Sequence, residues 1–107
     1  MKVKLCYKDL KLGELTYEGD KYEYVSLPDR SKFLKEYGYI DFPLASIKSK
    51  NSREMPYFFA EFVERLIYNP AMSTKLNINL NVDNYFDILY RYAKLPQVKN
   101  TFYYIAD

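Results

Sequence analysis

The sequence predicts a small single domain of the α+β class, in which an antiparallel meander or partly closed sheet packs against two or three helices. Apolar and polar residues alternate along much of residues 2–27, as in half-buried strands. Apolar residues recur every three or four positions in residues 56–67 and 83–93, as in amphipathic helices. No linker composition and no internal repeat divides the chain, so residues 1–107 are expected to form one domain.

The first strand is predicted over residues 2–8. Its apolar residues fall on one face, and Cys6 falls on the other between Lys4 and Lys8. Neighbouring lysines favour a lowered thiol pKa. Because the chain has no histidine and no second cysteine to activate or resolve a thiolate, Cys6 is expected to be a bystander.

A hairpin is predicted next, because Leu12–Glu18 and Lys21–Leu27 flank the two-residue turn sequence Gly19-Asp20. Counting outward from this turn gives a register in which one face is apolar and the other polar. The predicted cross-strand pairs are Glu18 with Lys21, Tyr17 with Tyr22, Thr16 with Glu23, and Leu15 with Tyr24.

A short helix and two irregular segments are predicted after the hairpin. Asp29 is expected to cap a helix of about two turns, and Gly38 to follow its C-terminus. The apolar side of this helix consists of Phe33, Leu34 and Tyr37. Residues 39–47 are expected to be extended, with Pro43 limiting them to an edge or a strand start, and the polar residues 48–54 to be a solvent-exposed loop.

The main core helix is predicted to start at Pro56, a residue suited to the first helical position. Glu61 and Arg65 are spaced for an i,i+4 ion pair on its wet side. Its apolar stripe consists of Phe58, Phe59, Phe62, Val63, Leu66 and Ile67.

A second amphipathic helix is predicted to start near Asp83 or Asn84 and to end before Pro96. Asp87 and Arg91 are spaced for an ion pair within it. Its apolar stripe consists of Phe86, Leu89, Tyr90 and Ala93.

Two further segments have strand-like composition. Residues 75–82 alternate apolar side chains with asparagine, which favours a strand over a helix and turn, although asparagine is a poor strand former. Residues 101–105 are aromatic and β-branched, and they predict a terminal strand that closes the sheet.

Composition excludes several function classes. Sixteen basic and fourteen acidic residues are mixed along the chain, so no nucleic-acid-binding footprint is expected. With no histidine and one cysteine, a zinc site and Ser-His or Cys-His catalytic pairs are not expected within one chain, and no cofactor is expected. The sequence has no apolar run of about 18 residues and no secretion signal, which favours a cytoplasmic protein with no membrane contact.

Four stretches, taken in order and spacing, resemble the N-terminal subdomain of HipA-type kinase toxins. They are Tyr7–Leu15, Phe42-Pro43-Leu44-Ala45-Ser46-Ile47, Pro56-Tyr57-Phe58-Phe59-Ala60-Glu61, and Asp83–Leu89. The second resembles the Pro-Leu-Ser-Leu-Ser-Leu strand of that family, and the third resembles its Pro-Phe-Phe-Glu-Asn helix start. The chain departs from the family where Glu64-Arg65-Leu66-Ile67 replaces Leu-Pro-Glu-Gly.

The resemblance implies a function without catalysis. HipA-type kinases phosphorylate a serine or threonine of a cellular target such as an aminoacyl-tRNA synthetase, and a helix-turn-helix DNA-binding regulator restrains them. In split systems of this kind, a small HipS-like chain acts as antitoxin of a shorter kinase. We therefore expect an antitoxin that binds and inhibits a separately encoded HipA-like kinase, since the chain has no Gly-rich phosphate loop and no Asp-Phe-Gly metal site. The alternative is a free-standing α+β module that binds protein or nucleic acid and has no kinase partner.

The inhibitory contact is predicted in residues 47–57, which join the family-like Pro-Leu segment to the main helix. Met55 and Tyr57 are the expected apolar anchors, and Lys50 and Arg53 are expected to meet acidic groups around the kinase's metal site. The serines are candidates to imitate a substrate or to be phosphorylated. The predicted partner-binding residues are Ser46, Ser49, Lys50, Ser52, Arg53, Met55 and Tyr57.

Overall fold

The computed structural model describes residues 1–47 and 49–107, except for the side chains of Ala45 and Ser46. The strands of this described part are β1 (Lys2–Tyr7), β2 (Leu10–Glu18), β3 (Lys21–Ser26), β4 (Ser49–Ser52) and β5 (Phe102–Ala106). Its α-helices are α1 (Asp29–Tyr37), α2 (Tyr57–Tyr68), α3 (Pro70–Lys75) and α4 (Tyr85–Ala93). The strands form one antiparallel sheet in the order β4-β3-β2-β1-β5, which confirms the α+β class.

The β2–β3 hairpin has the predicted register, and all four predicted pairs are observed. Gly19 and Asp20 both have positive φ, +57° and +62°, as a two-residue type I′ turn requires. Further along β2, Gly13 leaves room for the buried ring of Tyr24, because a Cβ at this position would lie 2.5 Å from Tyr24 Cε1. The hairpin therefore depends on glycine twice, at the turn for its φ and in the strand for its missing side chain.

The predicted position of Cys6 on the polar face of β1 is wrong. Its side chain is fully buried, although strict alternation placed it on the polar face. The β1–β2 register shifts between Leu5 and Cys6, and Tyr103 of β5 lies opposite Cys6. Burial raises the pKa of the Cys6 thiol, which is opposite to the direction expected from the nearby lysines.

Helices α2 and α4 supply most of the helical side of the core. The predicted stripe of α2 is confirmed, with Phe59, Val63 and Leu66 buried and the rest of the stripe packed against them. The Phe59 ring lies 5.7 Å from the Tyr24 ring and thereby joins the helix to the hairpin. The predicted ion pair between Glu61 and Arg65 is also present.

The short helix α1 is confirmed, but its details differ. Leu34 is 41% exposed, and Phe33 is the buried residue of the helix. Asp29 lies in the first turn and caps nothing, because its carboxylate accepts the backbone N–H of Lys11 at 3.0 Å. Gly38 follows the C-terminus as predicted.

Helix α4 begins with a capping box. The Asn84 side chain accepts the backbone N–H of Asp87 at 2.9 Å, and the Asp87 carboxylate accepts the backbone N–H of Asn84 at 3.1 Å. The prediction of an Asp87–Arg91 ion pair is wrong, because Asp87 serves the cap and Arg91 pairs with Asp83.

Three extended or loop predictions are corrected. Residues 39–47 contain a 3₁₀ helix, Pro43–Ser46, and no strand. The loop predicted over residues 48–54 contains β4, which pairs with β3. Residues 75–82 form the end of α3 and a series of turns, whereas the terminal strand is confirmed as β5, which lies at the sheet edge beside β1.

The described residues include no helix that is both apolar enough and long enough to cross a bilayer.

Candidate functional site

A groove of about 630 Å³ lies between β4, the N-terminal half of α2 and the start of α4. The segment that leaves β4 and enters α2 forms one wall, and α4 contributes the opposite rim. Its lining residues are Tyr22, Lys50, Ser52, Arg53, Glu54, Met55, Pro56, Tyr57, Ala60, Asn84 and Tyr85.

Strand β4 fixes which side chains face the groove. Its register pairs Ser52 with Tyr22 and Lys50 with Tyr24. Because paired residues of an antiparallel ladder share a face, Lys50 and Ser52 lie on the helix-covered side of the sheet. Ser49 lies on the opposite face, where it pairs with Val25.

A tight bend connects β4 to α2. The Ser52 hydroxyl accepts the backbone N–H of Glu54 at 3.1 Å, an interaction that favours a turn immediately after the strand. Pro56 is the N-terminal flanking residue of α2, and the backbone carbonyl of Pro56 accepts the N–H groups of Phe59 and Ala60. The wall of the groove is therefore held at both ends by regular structure.

The floor of the groove is aromatic and closely packed. The Tyr22 ring lies 4.4 Å from Tyr17 and 6.5 Å from Phe86, and only a small part of it reaches solvent. Burial, together with the neighbouring Tyr17, raises the pKa of Tyr22 to about 12. The floor is therefore neutral at physiological pH.

Met55 belongs to the floor as well. It is 9% exposed and is part of the main hydrophobic core. The predicted role of Met55 as a projecting anchor does not fit this position, because a buried side chain contributes little surface to a partner. Its thioether instead supports the shape of the groove.

Tyr57 and Tyr85 form the aromatic rims. Tyr57, the first residue of α2, is 76% exposed. Tyr85 is half-buried, and its hydroxyl donates to the Glu64 carboxylate at 3.3 Å. Burial and the neighbouring Glu64 raise the pKa of Tyr85, so this hydroxyl stays protonated.

The groove carries charge near its open side. Lys50 and Arg53 are exposed lining residues with positive charge. Glu54, an exposed lining residue in the bend, carries negative charge. The groove can therefore accept an apolar or aromatic group on its floor and hold carboxylates at its edge. No group of three or more His, Cys, Asp or Glu side chains suited to a metal ion occurs among the described residues.

Five of the seven predicted contact residues line this one groove. They are Lys50, Ser52, Arg53, Met55 and Tyr57. Ser49 faces away from the groove, and the side chain of Ser46 lies outside the described atoms.

Sequence reasoning missed the contributions of Tyr22 and Tyr85. The hairpin register placed Tyr22 on the apolar face, but the neighbouring strand β4 was not predicted, so the tyrosine could not be assigned to a groove. Tyr85 directly follows the predicted helix start at Asp83 or Asn84, and an aromatic residue in the first turn of a helix was the signal that could have identified it as a surface contact.

Comparison of the chain with protein-family models, with curated proteins and with solved structures gives no significant match in any of the three.

Proposed function

We propose that this chain is an antitoxin-like regulatory protein that binds and inhibits a separately encoded HipA-like serine/threonine kinase. The observation that supports this function is the groove, since four residues predicted to contact the kinase, Lys50, Ser52, Arg53 and Tyr57, line it above the buried Met55. The order of the family-like stretches along the chain supports the identity of the partner. The pair is expected to act in the bacterial cytoplasm, in some systems together with a helix-turn-helix DNA-binding regulator.

The groove is suited to inhibition by binding. Tyr57 offers a large amphipathic ring at the surface, and tyrosine is enriched among residues that dominate interface energies. Strand β4 and helix α2 hold the lining residues in place before binding, so little ordering free energy is lost on association. Lys50 and Arg53 provide the positive charge that complements the carboxylates of a kinase metal site.

Co-expression with the kinase encoded beside this chain tests the function. A stable complex is expected at micromolar concentration, with an interface of about 1,600 Å² in total. Adding the purified chain is expected to reduce the kinase's phosphorylation of its target in proportion to complex formation. Failure to co-purify at that concentration contradicts the proposed partner.

ATP titration tests the non-enzymatic part separately. The isolated chain is expected to give no saturable Mg·ATP isotherm by calorimetry, since its sequence has no Gly-rich phosphate loop. A saturable isotherm contradicts a purely regulatory role.

A further inference from the structure

The two edges of the sheet differ in the described residues. At the β5 edge, the Gln97 side chain accepts the backbone N–H of Tyr104 at 2.9 Å and donates to its backbone C=O at 2.8 Å. One amide thus binds the outward backbone groups of Tyr104, at the middle of β5, where an added strand would pair. In the part of the chain that the structure describes, no group does the same for β4.

The hairpin determines which groups of β4 point outward. In a two-residue hairpin, the residues flanking the turn bond to each other, so the N–H and C=O of Lys21 point to β2. The groups alternate along the strand, and those of Tyr22 therefore point to β4. The backbone N–H and C=O of its partner Ser52 point back to β3. Those of the next residue, Asn51, therefore point to the open edge.

Three observed hydrogen bonds agree with this alternation. Continued across β2 and β1, it directs the backbone groups of Tyr104 outward from β5, where Gln97 binds them. It also directs the Lys2 carbonyl toward the β5 side, where the Asp107 N–H donates to it. The outward direction of the Asn51 backbone groups follows from the same pattern.

We propose that the open edge of β4 binds an extended segment of the kinase as a sixth strand. This proposal rests on the proposed function and specifies how the kinase is bound. Side chains of an added strand alternate between the two faces. The side chains of the added strand that lie opposite Lys50 and Ser52 enter the groove, above Tyr22 and beside Tyr57. Because the floor of the groove is aromatic, we expect the segment to have apolar residues at these alternate positions.

The charge on the groove side of β4 favours an acidic segment. Two cations, Lys50 and Arg53, line the groove with one carboxylate, Glu54, whereas on the other face Lys21 lies beside Asn51 together with Glu18 and Glu23. A carboxylate on a groove-facing side chain of the added strand is therefore attracted to Lys50 and Arg53. A second copy of this chain brings the same cations to the same edge, and lysine on an edge strand disfavours such self-pairing. The occupant is therefore an acidic, alternately apolar segment of the kinase.

Amide hydrogen exchange in the complex of this chain with the adjacent kinase tests the added strand. The Asn51 amide is expected to exchange rapidly in the free chain and at least about tenfold more slowly in the complex. The Tyr104 amide is the internal control, because its bond to Gln97 protects it in both states. Unchanged exchange at Asn51 within a formed complex overturns the added strand while leaving the partnership intact, and absence of a complex contradicts the partnership itself.

A matched pair of variants tests the same backbone group. Asn51→Pro removes the outward N–H, and proline is tolerated on an edge strand when its nitrogen faces solvent. We expect it to weaken kinase binding about tenfold or more, whereas Asn51→Ala, which keeps the N–H, changes binding less than about threefold. Equal affinities of the two folded variants overturn the added strand.

The free chain provides a third outcome. If the Asn51 amide becomes protected with increasing concentration of the chain alone, a second copy occupies the edge and the kinase segment does not. Should Asn51→Pro lose its native circular dichroism, the exchange measurement on the natural sequence decides between these results.

Discussion

Replacing Arg53 and Tyr57 together by alanine separates binding from folding. Both side chains are exposed lining residues of the groove, and Tyr57 is 76% exposed. Because surface substitutions usually change the free energy of unfolding by no more than about 0.5 kcal/mol, the double variant is expected to melt close to the natural protein. If each residue contributes about 1 kcal/mol to binding, the loss is about 2 kcal/mol, or roughly thirtyfold in Kd.

Met55 is deliberately kept in this variant. It is 9% exposed and lies in the core, and removing such a side chain costs about 2–5 kcal/mol. That is a large fraction of the total stability of a domain, about 5–15 kcal/mol. A variant that also lacks Met55 therefore loses binding through unfolding, and it does not report on the contact.

Isothermal titration of the kinase and urea unfolding measure the two quantities in parallel. Tyr68→Ala is the matched control, because Tyr68 is 82% exposed, lies at the other end of α2 and does not line the groove. At about 1.5 Å per residue, it is roughly 16 Å from Tyr57 along the helix axis. Natural affinity in the Arg53/Tyr57 variant, or an equal loss in Tyr68→Ala, refutes the assignment of the contact to this groove.

Three further outcomes test the fold. Gly13→Ala is expected to lower the free energy of unfolding by about 1–3 kcal/mol in urea, because the new methyl group overlaps the buried Tyr24 ring; an unchanged midpoint contradicts this packing. Cys6 is expected to react slowly with Ellman's reagent in the native state and rapidly in guanidinium, since burial both shields the thiol and raises its pKa; fast native reaction shows that it is accessible. The Asn79 N–H bond holds the pKa of Asp83 below its usual value, so its stabilisation is present above about pH 4 and is lost as pH falls through the lower folded-state pKa. Asp83→Asn is therefore expected to melt earlier than the natural protein at pH 7 and to show a smaller drop in Tm on acidification, and equal drops contradict the linkage.

The parts of the fold that sequence predicted correctly are those where local chemistry and hydrophobic pattern agree. Gly19-Asp20 suits a type I′ turn, and the flanking residues alternate in the register that this turn sets. Helix α2 has a wide apolar stripe directly after Pro56. In both cases two independent signals specify the same structure.

The incorrect predictions arise where side chains bond to the local backbone or to distant residues. In residues 75–82 the alternation of apolar residues and asparagine suggested a strand, but the Asn79 side chain accepts the Asn81 N–H at 3.0 Å and stabilises a turn. Arg91 of α4 donates to the Leu76 carbonyl at 2.8 Å and holds the same segment from outside. A contact across the fold cannot be read from the alternation within the segment.

Strand β4 was missed because its sequence, Ser-Lys-Asn-Ser, carries no apolar residue on either face. It is a strand because the outward backbone groups of β3 provide hydrogen-bonding partners, which is a tertiary cause and not a local propensity. Ser49, Lys50 and Ser52, which were expected in a solvent-exposed loop, therefore lie on an edge strand. For the proposed kinase complex, an ordered edge strand means a lower ordering cost and makes backbone groups a second recognition element.

The strand also divides the predicted contact residues by face. In a loop, Ser49 and Ser52 would be equivalent candidates for imitating a kinase substrate. The two-residue period of β4 and its pairing with β3 place Ser52 in the groove and Ser49 on the opposite side of the sheet. The Ser52 hydroxyl already accepts the Glu54 N–H, but it keeps its own hydrogen for donation. Of the two candidate serines whose side chains are described, Ser52 is therefore the one accessible to a partner bound in the groove, and the Glu54 N–H holds its oxygen in place.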